Sequence, residues 1–355
     1  MTVQDETKSG SAERFLLEAE QAILGSDWAG LETAAHGWLS RVTSGSDPRP
    51  HFALNVVQLI KADFGAAWQT HAKCLQEAAD IEAVRTWVEG LLQQHQDRAS
   101  VHLVVGLFLA QSGKSEQSIA RYKDAIRLDP TSPYAHYFLA QIYERSERME
   151  MAVKAYREAV KLDPVYAAAR TNLGVAYQHQ GQLELAIPQY REVIKLNPND
   201  AIAHANLACA LAEQGKIEAA VAEYKEAIRL NPRDAELHFA LAGVYETKGR
   251  QDLALREYEE AIRADEHFAP ARTAIGWIQY NKGRLMDAMG TFNRALKDDP
   301  EDASATLGLA RIYGARGKTE MSMDLYAKAV RLEKDPEKKS QIMNNLFKEG
   351  GTFDG

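Results

Sequence analysis

The sequence has two cysteines, no long apolar run and no excess of positive charge. Cys74 and Cys209 lie far apart, so we expect no disulfide, which fits the reducing cytoplasm. No run of about 18 apolar residues occurs, and we therefore expect no direct membrane insertion. Acidic residues outnumber basic ones, 50 to 42, for a net charge of −8. A general nucleic-acid binder should carry a basic stripe, so basic or neutral partners are favoured instead.

Proline marks an internal repeat in the middle and C-terminal parts of the chain. Asp-Pro or Asn-Pro recurs at the end of apolar runs, at Pro130, Pro164, Pro198, Pro232 and Pro300. Successive gaps are 34, 34, 34 and twice 34 residues, which predicts a stacked solenoid. The seven predicted repeats are 99–132, 133–166, 167–200, 201–234, 235–268, 269–302 and 303–336.

Each repeat has the same pattern of residue sizes along a predicted helix, turn, helix and turn. Positions 8 and 20 are always small, which lets two helices approach closely where they cross. Position 24 is always aromatic and large enough to fill the space between one hairpin and the next. Position 15 is glycine in six repeats and Glu147 in the second. Glycine is expected at position 15 because the first helix must end in a left-handed residue before the chain reverses.

With these positions in place, the chain resembles a tetratricopeptide repeat (TPR) protein, a family built from a 34-residue helical hairpin. The resemblance covers about two-thirds of the chain and implies an all-α, right-handed superhelical solenoid. Each hairpin leaves an apolar face for its neighbours, so the array needs polar caps at its ends. Residues 337–349 fit a C-terminal capping helix, and we expect residues 350–355 to form a flexible tail.

Residues 1–98 do not show the repeat clearly. We expect residues 1–11 to be disordered and residues 12–98 to form an irregular, TPR-like helical extension. Helical patterns occur at about 12–25, 28–43, 51–63, 65–79 and 81–95. Two registers stay open. Either 65–98 is a degenerate repeat with Trp68 at position 4, or 51–63 pairs with 65–79 and 81–95 connects the extension to the array.

Four histidines share position 4 of their repeats and were considered as metal ligands. Helices in contact lie about 8–10 Å apart, whereas zinc needs ligand nitrogens about 2 Å away. No cysteine or carboxylate completes the set, so we interpret these histidines as packing residues and predict no metal and no cofactor. No phosphate-binding glycine-rich loop occurs either, and we therefore predict no catalytic role. The four are His102, His136, His204 and His238.

The resemblance implies that first helices line a concave groove, with positions 2, 5, 6, 9, 12 and 13 facing into it. Aromatic residues at these positions would be exposed unless something covers them, and exposed apolar patches mark interaction sites. The alternative is that superhelical curvature or the N-terminal extension buries some of them. The predicted partner-binding residues are Tyr137, Phe138, Gln141, Arg145, Asn172, His179, Asn206, Phe239, Trp277, Tyr280 and Asn281.

Two binding modes of the family can be compared with these residues. The carboxylate clamp of chaperone-binding members needs basic residues around a central asparagine, and neither Asn172 nor Asn206 has them. The asparagine ladder of O-linked N-acetylglucosamine transferase holds peptide backbone through position 6, where Asn172 and Asn206 would give two adjacent rungs. The resemblance therefore implies binding of a peptide or protein in the groove.

The predicted function is a non-enzymatic scaffold or adaptor that binds a partner protein in the cytoplasm. One alternative is a self-assembling scaffold, because an incompletely capped end or the tryptophan-rich extension could dock onto another copy. Another is a regulatory or assembly-factor subunit of an enzyme or membrane complex. A concentration-dependent size would support the first alternative, and co-purification with an enzyme would support the second.

Overall fold

A computed structural model describes residues 3–40, 49–60 and 81–348 of the chain. Within these ranges the protein contains nineteen α-helices and no strand, which confirms the all-α fold class. The described chain divides into unit 1, which ends at Gln189, and unit 2, which begins at Tyr190.

The helices of unit 1 comprise an N-terminal group of four and the following helical hairpins. The N-terminal helices are α1 (Val3–Leu24), α2 (Trp28–Leu39), α3 (Arg49–Ile60) and α4 (Ile81–Gln94). The hairpin helices are α5 (Ala99–Gln111), α6 (Ser115–Leu128), α7 (Pro133–Arg145), α8 (Met149–Leu162) and α9 (Ala167–His179), and α10 (Leu183–Leu196) contains the boundary between the units.

Unit 2 continues with four more hairpins and a final helix after α10. Their first helices begin at residues 201, 235, 269 and 303, one period apart. They are α11 (Ala201–Glu213), α12 (Ile217–Leu230), α13 (Ala235–Thr247), α14 (Gln251–Ala264), α15 (Ala269–Asn281), α16 (Leu285–Asp298), α17 (Ala303–Ala315), α18 (Thr319–Leu332) and α19 (Pro336–Lys348).

The turn inside each hairpin has the left-handed conformation that the glycine row predicts. The six glycines at position 15 have φ between 68° and 79°. Glu147 occupies the same turn of the second repeat and adopts φ 58° without being glycine. The second repeat therefore keeps the same left-handed backbone, although this conformation is less favourable for a residue with a side chain than for glycine.

The turn between hairpins is closed by helix caps or by aromatic packing. Asp200 and Asp302 each stand just before a first helix, and their carboxylates accept a backbone N–H three residues on, at 2.9 Å. Such caps satisfy donors that the first turn of a helix leaves unpaired. Pro133 and Pro270 stand in the first turns of α7 and α15, where proline costs no hydrogen bond.

Aromatic residues at position 24 form the core between helices. All seven are buried, with at most 6% of their surface exposed. The small residues at positions 8 and 20 make room for them. Gly106 illustrates the fit, because a Cβ there would lie 2.5 Å from the Tyr122 ring. Ser118, at position 20, donates a hydrogen bond to the Gly106 carbonyl at 2.9 Å and ties the two helices together.

The N-terminal helices pack on the first repeat. Helix α1 contacts α2 and α5, and α4 contacts α5. The helix α1 already begins at Val3, so the expectation of a disordered segment is wrong over residues 3–11. The two registers proposed for the extension both depend on residues 65–79, and Trp68 and Cys74 also lie there. This segment and the predicted tail at 350–355 lie outside the described residues.

Candidate partner-binding site

First helices define the surface on which the candidate site lies. In unit 2 the first helices of neighbouring hairpins contact each other, α11 with α13 and α15 with α17, more extensively than any two second helices do. Positions 3, 8 and 10 of these helices are buried inside the hairpins, as Ala203, Ala208 and Ala210 show on α11. Positions 2, 5, 6, 9, 12 and 13 of α11, α13, α15 and α17 therefore form a separate surface, which we call the inner face of unit 2; within it Thr273 and Gly308 are buried.

The same positions are covered at the first repeat in unit 1. Leu103, Val104 and Leu107 occupy positions 5, 6 and 9 of α5 and are at most 3% exposed. Phe52 of α3 packs edge-on against Phe108 with ring centroids 5.8 Å apart. Helix α5 is apolar on all sides, as expected for a helix surrounded by protein. The N-terminal extension thus occupies the start of the predicted groove.

Tyr137 and Phe138 on α7 are buried, so the expectation that they are exposed is wrong. Their exposed fractions are 0% and 3%. Tyr137 packs against Tyr166 with ring centroids 5.0 Å apart, and Phe138 stacks on Tyr122 at 6.1 Å. The physical reason is that Tyr166, the last residue of the second repeat, turns its ring over Tyr137. Neither ring is available as an anchor for a partner.

The polar residues around Tyr137 bind one another. Its hydroxyl accepts a hydrogen bond from Gln141 Nε2 at 3.0 Å and one from Asn172 Nδ2 at 3.4 Å. The same Asn172 nitrogen lies 3.4 Å from the Tyr156 hydroxyl, which donates to Glu144 at 2.7 Å. Burial raises the pKa of both tyrosines, which therefore stay neutral. Asn172 would have to give up these bonds to hold a peptide.

Arg145 and His179 are the remaining predicted residues of unit 1, and both are exposed. They stand at position 13, in the last turns of α7 and α9. The structure therefore gives unit 1 an internally bonded polar network with two exposed charged or titratable side chains beside it, and no exposed aromatic pair at the predicted positions.

In unit 2, Asn206 lies in the middle of α11 and is half-buried. Its side chain makes no hydrogen bond to any residue that the structure describes, unlike Asn172. One turn earlier, Ile202 is 69% exposed, which is unusual for so apolar a residue. An amide without an internal partner beside an exposed aliphatic side chain is what a peptide-binding surface requires.

Phe239 lies on α13 and is also half-buried. It contacts Tyr258 and Phe268 with ring centroids 5.4 and 5.6 Å apart. The hydroxyl of Tyr258 donates to Glu246 at 2.6 Å. Phe239 thus has a fixed orientation and keeps part of its ring accessible. Gly243, one turn further along the same helix, faces open space, because a Cβ there would meet no atom within 4 Å.

Trp277 on α15 is contacted on several sides and is half-buried. Its Nε1 donates to the hydroxyl of Ser304 at 2.8 Å, and its ring lies 5.3 Å from Phe292 and 5.6 Å from Tyr280. The guanidinium of Arg311 lies over the ring, 5.3 Å from its centroid. A large ring that is already ordered loses little entropy on binding, which suits an anchor. Asn281 follows on the same helix and is exposed.

Sequence reasoning missed Ser304 and Arg311. Both stand on α17, at positions 2 and 9 of the seventh repeat, and Trp277 is position 9 of the sixth. The positional pattern that selected Trp277 would have selected Arg311 if it had been carried into the last repeat. The structure thus brings Trp277 and Tyr280 together with two residues of the following hairpin.

The position-4 histidines join elements within their hairpins. His204 Nδ1 lies 2.6 Å from Glu223 on the second helix, and its Nε2 lies 3.2 Å from the carbonyl of Pro198 in the preceding turn. His238 repeats the first contact with Glu257 at 2.9 Å. These bonds agree with the interpretation as packing residues. Within residues that the structure describes, no three His, Cys, Asp or Glu side chains are placed to hold a metal ion.

No helix in the described ranges has the length and apolar character needed to cross a membrane. A search of curated protein sequences gives no significant match. Family models described as TPR repeat match residues 106–147, 145–181 and 209–249. Models described as tetratricopeptide repeat match residues 167–200, 189–222, 235–268 and 273–337.

Solved structures with the same kind of fold align over much of the chain. A tetratricopeptide repeat protein from Parabacteroides merdae aligns with a TM-score of 0.59 at 15% identity, over 71% of this chain and 99% of that chain. Yeast Tom70 aligns with a TM-score of 0.56 at 15% identity, over 97% of this chain and 83% of that chain. At these identities the likeness shows the fold alone.

Proposed function

Because the chain belongs to the tetratricopeptide repeat family, we propose that it is a non-enzymatic scaffold that binds a segment of a partner protein on the inner face of unit 2. The proposed contact residues are Asn206, Phe239, Trp277, Tyr280 and Asn281. Members of the family act through protein interactions, and this chain keeps their hairpin array over all seven repeats. The proposal moves the site away from unit 1, where the predicted aromatic residues are buried.

The main support for this proposal is the way the Trp277 ring is packed and exposed. Phe292 fills the position between α15 and α17 and is fully buried, and Trp277 packs on the outside of that core without being buried itself. Trp277 is oriented by Ser304, Tyr280 and Arg311 and remains only half-buried. Aromatic residues of this kind commonly dominate protein interfaces. Phe239 and the open space at Gly243 extend the apolar surface toward Asn206.

Two glycines allow a test that blocks the surface without removing any packing. A Cβ at Gly243 or at Gly290 would meet nothing within 4 Å, and both glycines lie inside helices. Gly243 is on the inner face, whereas Gly290 is on the second helix α16. Glutamine at either site adds the same volume without adding charge, so the Gly290→Gln variant is a matched control for Gly243→Gln.

The experiment captures partners with the full chain, identifies them by mass spectrometry and then measures the affinity of a purified partner. We expect the partner to bind wild type and Gly290→Gln equally and to bind Gly243→Gln and Trp277→Ala at least tenfold more weakly. Loss of binding with Gly290→Gln but not with Gly243→Gln would place the partner on the second helices and refute the proposal.

The partner class is proposed as protein, with no nucleic acid, on the ground of the net charge. A second copy of the chain and an enzyme subunit are two partners within that class. Light scattering over a range of concentrations tests whether the partner is a second copy of the chain, because self-assembly requires the mass to rise with concentration. The cytoplasm is the proposed location, on the ground of cysteine usage.

A further inference from the structure

Charge is unevenly distributed over the inner face of unit 2. Arg311 is the one charged residue at the inner positions of α15 and α17. The carboxylates of this face lie on the other two helices, with Glu213 at the end of α11 and Glu236 and Glu246 on α13, where Glu246 accepts a hydrogen bond from Tyr258. The C-terminal half of the face is therefore locally basic, although the protein as a whole carries a net charge of −8.

Arg311 has no carboxylate partner among the residues that the structure describes. Its contact is with the ring of Trp277, which attracts the cation but accepts none of its five N–H donors. Some other arginines of unit 2 are paired and some, such as Arg256 and Arg294, are not, but among the described arginines of unit 2 Arg311 alone lies over an aromatic ring. Arg229 lies 2.6 Å from Glu226, and Arg272 lies 2.8 Å from Asp298.

Helix α17 contains no carboxylate, and Asp302, which stands just before it, is already engaged. Asp302 caps the helix by accepting from the Ala305 N–H at 2.9 Å and also accepts from the Thr273 hydroxyl at 2.5 Å. Arg311 is half-buried, so its donors are partly shielded from water. A guanidinium that is oriented by an aromatic ring and left without an acceptor is ready to bind one from outside the chain.

We propose that Arg311 and Trp277 together recognise an extended segment of a partner protein in which an Asp or Glu stands next to an apolar or aromatic residue. The carboxylate accepts hydrogen bonds from Arg311, and the neighbouring side chain packs on Trp277 and Tyr280. This inference rests on the proposed function and gives the bound segment a direction, since its acidic residue binds over α17 and away from the carboxylates Glu213, Glu236 and Glu246 on α11 and α13. It also replaces the expectation of basic or neutral partners at this end of the face.

The test uses a library of random peptides displayed on phage and the immobilised full chain. Wild type, Arg311→Gln, Arg311→Glu, Gly243→Gln and Gly290→Gln are each used for selection, and the enriched sequences are compared. Circular dichroism verifies that every variant is folded. We expect wild type and Gly290→Gln to enrich Asp or Glu beside an apolar or aromatic residue, and Arg311→Glu to enrich Lys or Arg instead.

The affinities of one enriched peptide for wild type and for Arg311→Gln then measure how much the contact with Arg311 contributes to binding. Charge-assisted hydrogen bonds are stronger than neutral ones, so Arg311→Gln should weaken binding about tenfold or more. Replacing the peptide's acidic residue by its amide should cost a similar factor with wild type and little with Arg311→Gln. Equal losses with both proteins would mean that the carboxylate does not contact Arg311 and would overturn the inference.

Other outcomes separate this inference from the proposed function. Peptides that require an unblocked Gly243 but show no acidic preference would overturn the inference and leave the proposed function standing. Peptides insensitive to Gly243→Gln, or no enriched peptide at all, would contradict both. Residues 352–354 read Thr-Phe-Asp, so a chain that ends at residue 349 is also used. If only that shortened chain selects acidic peptides, the occupant is the protein's own C-terminal segment and not a partner.

Discussion

Replacing Gly308 by alanine should destabilise the protein, although alanine is the better helix former. Gly308 lies on α17 directly against Phe292, which is fully buried at position 24 of the sixth repeat. A Cβ at residue 308 would lie 2.4 Å from two carbon atoms of the Phe292 ring and 2.8 Å from a third. Gly276 faces the same ring from α15 at 2.6 Å, so the ring cannot move away without meeting the other helix.

The expected magnitude is the difference of two effects. Inserting a methyl group into a packed core costs about 1–3 kcal/mol, and alanine gains about 1 kcal/mol over glycine inside a helix. We therefore expect Gly308→Ala to lower the free energy of unfolding by up to roughly 2 kcal/mol. Gly290→Ala is the matched control because its Cβ meets nothing within 4 Å, and it should raise the free energy of unfolding by up to about 1 kcal/mol.

The measurement is urea unfolding of the full chain followed by circular dichroism at the helix band. Repeat arrays can unfold in parts, so midpoints are compared before free energies are fitted. Combining Gly308→Ala with Phe292→Leu should reduce the cost of the alanine by about 1 kcal/mol, since the two residues are in contact. If Gly308→Ala raised the midpoint as Gly290→Ala does, the close packing of α15 and α17 around Phe292 would be refuted.

Three further outcomes follow from single contacts. Glu147→Gly should stabilise the chain by roughly 0.5–1 kcal/mol in urea unfolding, because φ is 58° there, whereas Gly181→Ala in the equivalent turn should destabilise it. Phe52→Ala should cost about 3 kcal/mol or more and expose α5 to proteolysis, since Phe52 is buried where the N-terminal extension covers the first repeat. The hydrogen bond to Asp298 raises the pKa of His267, so this pair stabilises the fold fully below the ordinary pKa of about 6.5 and loses that effect as pH rises through the raised value. The difference in unfolding midpoint between wild type and His267→Gln should therefore shrink as the pH rises above the ordinary histidine pKa of about 6.5, and a growing difference would contradict the assignment.

The repeated hairpins could be predicted from sequence because their signals are local and recur. Glycine at position 15 marks a left-handed turn whatever its neighbours are, and the structure gives φ near 70° at Gly181 and its equivalents. Glu147 adopts the same left-handed conformation at position 15 of its own repeat, so the turn could be predicted from the position in the repeat even where the residue is not glycine. Tetratricopeptide repeat membership and the all-α class followed from the same periodicity.

The burial of Tyr137 could not be read from its position alone. Position 5 carries an aromatic residue in the second and fifth repeats, as Tyr137 and Phe239, and in both the last residue of the repeat is aromatic too, as Tyr166 and Phe268. The two rings pack together in each case. Where the last residue is instead aspartate, it caps the following helix. The packing of an aromatic residue at position 5 can therefore be predicted only when position 34 of the same repeat is considered with it.

The covering of α5 by the N-terminal extension could not be predicted from sequence, because it depends on contacts between residues far apart along the chain. The apolar residues of α5 at positions 5, 6 and 9 are buried by a segment with no repeat of its own. Sequence periodicity carries no information about such a contact, because Phe52 and Phe108 are far apart along the chain and belong to different patterns. The same limit applies to Arg311, whose importance comes from the ring of Trp277 in the preceding hairpin.

Photo-crosslinking from the inner face of unit 2 is the most direct test of the central claim. A benzophenone amino acid is placed in the full chain at residue 243 or at residue 290, two helical positions where a side chain enters open space. We predict that residue 243 crosslinks to a partner protein, that residue 290 does not, and that Trp277→Ala abolishes the crosslink. Crosslinking from residue 290 alone, or from residue 243 with no effect of Trp277→Ala, would contradict the proposal that this surface binds the partner.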